Sequence, residues 1–284
     1  MIEVSTESQK MQEDLEPIKK FKVALCMSGQ SRFVKKGYDE SLNMFLIGDD
    51  NKGGGPRYDL DVFIHSWDIE PWEYGTRWLN GGGNPNMTKT PTRWEALMQG
   101  KHLMDNIPTD SFKEYFELYK PFRSLIEPQK IFCYGMYPNR TAPGIRSDFG
   151  ESMLTSMYRA NKLKSDYEDE KGFKYDVVVR SRTDIKLFSP IHFNQFDLDK
   201  ITVPTGCPHL KGIADSFGFS TSKNMDVYCN LINTWQDIMD THPYQRMCWE
   251  ELLWIHLKNN NIEFNELLEH RLYRSKHRIT KDAR

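Results

Sequence analysis

Cysteine is sparse and scattered in this chain of 284 residues. The five thiols, Cys26, Cys133, Cys207, Cys229 and Cys248, are odd in number and no two form a C-x-x-C pair. That pattern excludes a disulfide framework and a structural zinc site, and points to free thiols in a reducing compartment. Long apolar runs are missing too. No stretch of about 18 apolar residues occurs, and the opening segment MIEVSTESQKMQEDLEPIKK lacks the apolar core of a signal peptide. A cytoplasmic protein without a membrane span is expected, with residues 1–20 as a polar extension and residues 21–284 as a single domain. Neither sign of charge dominates: 38 Lys and Arg face 40 Asp and Glu, for a net charge of −2. The balance argues against a polyanion-coating protein, so no nucleic-acid partner is expected. Also missing are G-x-G-x-x-G and G-x-x-x-x-G-K-[ST], which counts against a dinucleotide enzyme and a P-loop NTPase.

Aromatic residues, by contrast, are plentiful. They make up 13% of the chain and include seven Trp, which suits a heavy core or a surface that stacks on sugar or base rings. FKVALCMSGQSR (21–32) and YDLDVFIHSWD (58–68) read as buried strands that end in polar residues, with a helix over 34–47 between them. The segment from Trp72 to Trp94 is rich in Gly, Pro, Asn and Thr and reads as a long loop suited to closing over a ligand. Helices are expected over 93–106, 110–120, 148–169, 223–240 and 243–261. Strands are expected at 129–135, within 175–188, at 200–206 and at 215–222. Alternation of this kind specifies an α/β fold: a mainly parallel sheet covered by helices on both faces, with its site at the carboxyl ends of the strands.

Two polar clusters stand at such ends. Ser28, Gly29, Gln30 and Arg32 follow the first strand. Gly29 permits close backbone approach, and the other three offer groups suited to a ribose, a uracil edge or a phosphate. The ordinary alternative is a strand-to-helix turn capped by Ser. Arg180, Arg182 and Asp184 interrupt the apolar strand YDVVVRSRTDIKLF. A strand-end carboxylate can hold Mg²⁺ or Mn²⁺ against a diphosphate, and the arginines can neutralise the same group; equally, Asp184 can pair with an arginine to cap the sheet. His65 and Asp68 end the second strand and would border the same crevice, with Trp67 either a stacking surface or core. Asp215, Glu250 and Glu251 are the candidate general bases. A carboxylate flanked by Trp249 and Trp254 would have its pKa raised by desolvation.

VALCMSGQSR, DVFIHSWD, SMYRANKLK leading into YDVVVRSRTDI, and GIADSFGFSTS, in that order across residues 21 to 260, resemble small nucleotide-sugar glycosyltransferases of GT-A-like fold. These are found in giant algal viruses and some bacteria. The resemblance implies a single GT-A-like domain acting in surface or capsid glycan synthesis, in the host cytoplasm if viral. A UDP-sugar donor, xylose as the transferred sugar, a glycan acceptor and an inverting outcome are the corresponding expectations. It also implies that Asp184, as the last residue of an Asp-x-Asp motif, binds a divalent metal, Mn²⁺ or Mg²⁺, that holds the donor diphosphate. The first Asp of that motif is replaced by Arg182. Metal dependence is therefore open: Asp184 shares a metal with a histidine such as His209 or His277, or Arg180 or Arg182 carries the leaving-group charge. Two other classes compete. A nucleotidyltransferase or phosphotransferase would use the same Asp with a second carboxylate close by, whereas a non-catalytic carbohydrate-binding protein would need no diphosphate pocket.

Overall fold

Apolar side chains occupy both faces of the first strand, and that fixes its place in the molecule. In β1 (Lys22–Ser28), Val23, Leu25 and Met27 join one core cluster while Ala24 and Cys26 join another. A strand buried on both faces lies within a sheet sandwiched between helices. β2 (Asp59–Asp68) and β4 (Val177–Ser181) repeat the pattern, with Val62 and Ile64 opposed to Phe63, and Val177 and Val179 opposed to Val178. The computed structural model describes residues 20–47, 58–68, 112–128, 147–188, 190–204, 212–242, 248–267 and 270–272.

Within these residues the remaining strands are β3 (Arg123–Pro128), β5 (Ile185–Leu187), β6 (Ile201–Pro204), β7 (Gly218–Ser220), β8 (Phe264–Leu267) and β9 (His270–Leu272). Seven of the nine described strands form a sheet in the order β3-β2-β1-β4-β7-β6-β8, and β5 pairs with β9 in a separate antiparallel ribbon. Pairings β2–β3, β1–β2, β1–β4 and β6–β8 are parallel, while β7 runs antiparallel to both its neighbours. The fold is thus α/β with a mainly parallel sheet, as the alternation requires.

Helices cover both faces. On the Val23 side lie α1 (Val34–Gly37), which continues in π-helical turns over Tyr38–Ile47, and α2 (Phe112–Tyr119), packed through Val34, Leu42, Leu46, Tyr115 and Tyr119. Opposite them lie α3 (Ser147–Lys171), α4 (Ser222–Cys229), α5 (Trp235–Thr241) and α6 (Trp249–Asn259), packed through Leu154, Met157, Tyr228, Ile238, Leu252 and Leu253. None of the described helices is long and apolar enough to cross a membrane. Cys26, Cys229 and Cys248 are buried free thiols.

Three expectations are corrected in detail. The helix expected over 223–240 is broken by a 3₁₀ turn, Asn230–Asn233. There Asn233 donates to Asn230 Oδ1 (2.7 Å) and Thr234 donates to the Leu231 carbonyl, so short polar side chains compete with the helical backbone. The single strand expected within 175–188 is two, β4 and β5, separated by a turn at Thr183 and Asp184. The third strand is β3, which the sequence reading passed over. It sits at the sheet edge, where half-buried side chains and a terminal Pro weaken its alternation. The expected strand at 129–135, helix at 93–106 and loop from Trp72 to Trp94 lie outside the described residues.

One buried cation joins the helical layer to the sheet. Lys164 on α3 is fully buried, and its ammonium donates to Asp226 (2.7 Å), Ser222 Oγ (2.8 Å) and Glu168 (3.1 Å). Glu168 in turn accepts from the Tyr175 amide at 2.9 Å, just ahead of β4. Removing one partner of a buried ion pair strands the other charge away from water. Lys164→Met is expected to lower the stability by about 3 kcal/mol, read as a fall in the urea midpoint at constant slope; an unchanged midpoint would show that the network contributes nothing.

Candidate active site at the carboxyl ends of β1 and β4

From β1 the chain builds β2 and then β3 to one side, and returns to place β4 on the other side of β1. The direction of winding reverses between β1 and β4, and a crevice opens at such a point outside the carboxyl ends of the strands. Both polar clusters picked out from the sequence flank it. Register places Met27 opposite Ser181 and Ser28 opposite His65, so the ends of β1 and β4 lie level with His65 inside β2.

The two clusters are joined directly. The Arg32 amide donates to Thr183 Oγ1, and that hydroxyl donates to the Gln30 carbonyl, both at 3.3 Å. Thr183 is pressed against α1: a Cβ built on Gly37 would stand 1.8 Å from the Thr183 carbonyl oxygen, so only glycine fits there. Gly29 adopts φ 110°, a conformation that favours glycine. Its amide donates to Ser156 Oγ on α3 at 2.7 Å.

Ser156 also meets His65 Nδ1 at 2.8 Å, and His65 Nε2 lies 3.1 Å from Glu127 Oε2. A carboxylate only accepts, so Nε2 carries the proton and Nδ1 accepts from the Ser156 hydroxyl. Burial lowers the His65 pKa, with Glu127 opposing, in keeping with the neutral ring. His65 is buried with both nitrogens engaged, and it anchors the end of β1 through Ser156. Trp67 is 2% exposed, stands edge-on to His65 and donates to the Ser152 carbonyl, so it belongs to the core. Asp68 is exposed at the very end of β2.

Several buried polar atoms at this edge have no hydrogen-bond partner among the described residues: Ser28 Oγ, Gln30 Oε1 and Arg180 Nε. Each such atom costs roughly 1–3 kcal/mol unless something supplies the bond. Clustered at a switch point, they make this edge the candidate site for a polar ligand. Arg180 is 1% exposed and donates through Nη1 to the Ser216 carbonyl. Its burial lowers its pKa, which Tyr228 and the negative charge of Asp215 oppose. Arg182 and Asp184 form a bidentate pair, Nε to Oδ1 at 2.7 Å and Nη2 to Oδ2 at 2.6 Å, with the Asp184 side chain 4% exposed and that of Arg182 21%.

The antiparallel course of β7 brings in the carboxylates. Gly218, its first residue, lies opposite Arg180, so the loop ahead of it, with Asp215, sits at the same edge as the carboxyl ends of β1 and β4. That loop is held on one side by Arg180 on Ser216. On the other, the Ile213 amide donates to the Glu250 carbonyl at 3.0 Å, and Gly212 packs against the Glu250 backbone. Glu250 and Glu251 occupy the first turn of α6, where acidic side chains suit the helix dipole. Burial raises the Glu250 pKa, and the charge of Asp215 raises it further. Cys248 donates its thiol to Glu250 Oε2 at 3.3 Å. Trp249 is core, edge-on to Trp235 and against Gly150. Trp254 is partly buried and carries Lys258 over its ring.

The described residues do not fit a divalent cation. Both Asp184 oxygens face a guanidinium, and no group of three or more His, Cys, Asp or Glu side chains with metal-site spacing exists among them. His209 and His277 lie outside the described residues. A separate cavity of about 380 Å³, lined by Tyr158, Asn161, Lys162, Asp226 and His256, shares no residue with the crevice.

Sequence reasoning did not find Ser156, Glu127 or Gly37. A lone serine in a long helix, a glutamate in an unrecognised edge strand and a helical glycine carry no local signal, and each matters through a contact with residues far along the chain.

The sequence matches no protein-family profile, and no curated protein matches it. Among solved structures it is similar to the glycosyltransferase GlyE of Streptococcus pneumoniae. The apo form aligns at TM-score 0.38 and 9% identity over 87% of this chain and 46% of that one, and a second structure at 0.36 and 10% over 88% and 46%. The chain thus spans about half the length of these proteins, and likeness of this order assigns neither a fold family nor an activity.

The pKa of Glu250 carries a stability consequence. A carboxyl group that binds its proton more tightly when folded loses stability as pH rises from its unfolded value, about 4.3, through its raised folded value. Glu250→Gln is expected to melt higher than the parent at pH 8 and equal to it below about pH 4; a lower melting temperature at pH 8 would contradict the assignment.

Proposed function

We propose that this protein is a glycosyltransferase that moves a sugar from a nucleoside diphosphate to a glycan hydroxyl. The observation that carries the reading is the joining of the two strand-end clusters by Thr183 at the sheet's switch point. The buried, unsatisfied Ser28 Oγ and Gln30 Oε1 atoms lie at an edge that also gathers two guanidinium groups and a carboxylate pair. The orphan hydroxyl and amide oxygen suit the base and ribose of a nucleotide, and the cationic end suits its diphosphate. We assign the donor as a UDP-sugar, the sugar as xylose and the acceptor as a surface or capsid glycan, following the sequence resemblance.

In the reaction, the bond between the anomeric carbon and the terminal phosphate oxygen breaks, and its electron pair leaves with the nucleoside diphosphate. The acceptor oxygen bonds to the anomeric carbon from the opposite face, with inversion, and its proton passes to a carboxylate. Asp215 takes that role. It lies on the loop leading into β7, at the crevice edge, between the Arg180 charge and Glu250. Glu250, whose raised pKa keeps it protonated over a wider range of pH, limits the repulsion Asp215 meets. A nucleotidyltransferase would hold paired metals on a second carboxylate beside Asp184, and no group of three or more His, Cys, Asp or Glu side chains that could hold a metal ion occurs among the described residues.

Release of nucleoside diphosphate from UDP-xylose, UDP-glucose and GDP-sugars, in the presence of glycan acceptors, tests the proposal. One UDP-sugar should be turned over, and Asp215→Asn should lower kcat by roughly 10²- to 10⁴-fold, the usual value of general base catalysis, with donor KM little changed. Failure of the unaltered protein to turn over any donor, or an unchanged rate in the variant, would overturn the proposed activity or the base, respectively.

A further inference from the structure

We propose that the charge of the departing diphosphate is met by the guanidinium of Arg182, held in place by Asp184, and that no divalent cation is seated on Asp184. The inference rests on the glycosyl-transfer reading above and specifies how that site handles charge. Asp184 would need carboxylate oxygens open to a hard cation. Both are instead engaged by Arg182 through two parallel N–H···O bonds at 2.7 and 2.6 Å, in a nearly buried position. Bidentate pairing of this type fixes the orientation of the planar guanidinium, and a lysine could not reproduce it. Seating a doubly charged ion there would mean breaking the pair and placing the ion beside the displaced arginine.

The surroundings reinforce the assignment. Ser181 Oγ donates to the Arg182 carbonyl at 3.1 Å, and the adjacent Thr183 is held by Arg32 and Gln30, so the turn that carries the pair is fixed on both sides. Arg180, buried two residues back along the chain, adds a second positive charge to the field. When the anomeric carbon separates from the phosphate oxygen, the diphosphate gains one negative charge at the end of β4, where the partly exposed Arg182 stands. Preorganised charge at the point where charge develops stabilises a transition state without reorganisation. In this scheme Asp184 is a positioning residue, acting through Arg182.

Calorimetric titration of the full chain with UDP and with GDP, after EDTA treatment and again with Mn²⁺, tests the proposal. The expected result is nucleotide binding that changes less than about twofold between EDTA and Mn²⁺, that Arg182→Ala weakens at least about tenfold, the loss of one charge-assisted contact, and that Arg182→Lys restores only in part. Asp184→Asn should weaken binding to a lesser extent, and Mn²⁺ should not change that. Circular dichroism of each variant confirms that it is folded, and Arg182→Lys keeps the test open if Arg182→Ala is not. Binding that requires Mn²⁺ in the unaltered protein and loses this requirement in Asp184→Asn would overturn the inference while leaving glycosyl transfer standing. Absence of any nucleotide binding, with or without metal, would overturn the functional reading and the inference with it.

Discussion

A single hydroxyl, that of Thr183, joins two turns that lie about 150 residues apart in the chain. The strands on either side are rigid because they are buried on both faces, but a parallel strand ends in backbone groups and polar side chains that its sheet no longer satisfies. At β1 those groups belong to Gln30 and Arg32, and at β4 to the turn that carries Arg182 and Asp184. Thr183 satisfies one donor and one acceptor of the first turn while forming part of the second. Its position depends in turn on Gly37, which lets α1 close onto the Thr183 carbonyl. The crevice is thus a consequence of packing as much as of topology.

A second tie acts from the opposite face. Ser156, on the long helix α3, receives the Gly29 amide and donates to His65, whose other nitrogen is held by Glu127 on the edge strand. Helix, two central strands and the edge strand are therefore bound at one level, just below the switch point. The carboxylates arrive by a third route, the antiparallel β7, whose reversed direction brings Asp215 to an edge that parallel strands reach only with their carboxyl ends. Arg180 ties this loop to β4, while the start of α6 supports it with Glu250.

Much of this is legible in the amino-acid order, and the parts that are not share a physical cause. Strands such as KVALCMS and VVVRS announce themselves because burial on both faces demands unbroken apolar runs, and the polar residues that end them mark the site. The edge strand RSLIEP is half-buried and carries no such run. The helix over 223–240 keeps its apolar spacing across Asn230 to Thr234, so periodicity alone cannot reveal the 3₁₀ turn that polar side chains impose there. Ser28, Gln30, Arg180, Arg182, Asp184 and Asp215 could be named as candidates from sequence because strand ends and turns restrict where chemistry can sit. The sequence leaves Asp184 open as a metal ligand or an ion-pair partner, and the pair it forms with Arg182 is a side-chain geometry that no sequence pattern specifies. His65 shows the reverse: a histidine at a strand end suggests a ligand contact, yet its ring is buried and engaged on both sides.

The central claim is that a nucleoside diphosphate lies in the crevice between β1 and β4, and hydrogen–deuterium exchange of the protein with and without saturating UDP measures this most directly. The account predicts slower exchange of amides in segments 28–32 and 181–184 and in the loop ahead of β7, where ligand contact would suppress local opening. Unchanged exchange in those segments, with protection falling instead on the helices around the cavity lined by Asn161 and Asp226, would contradict it.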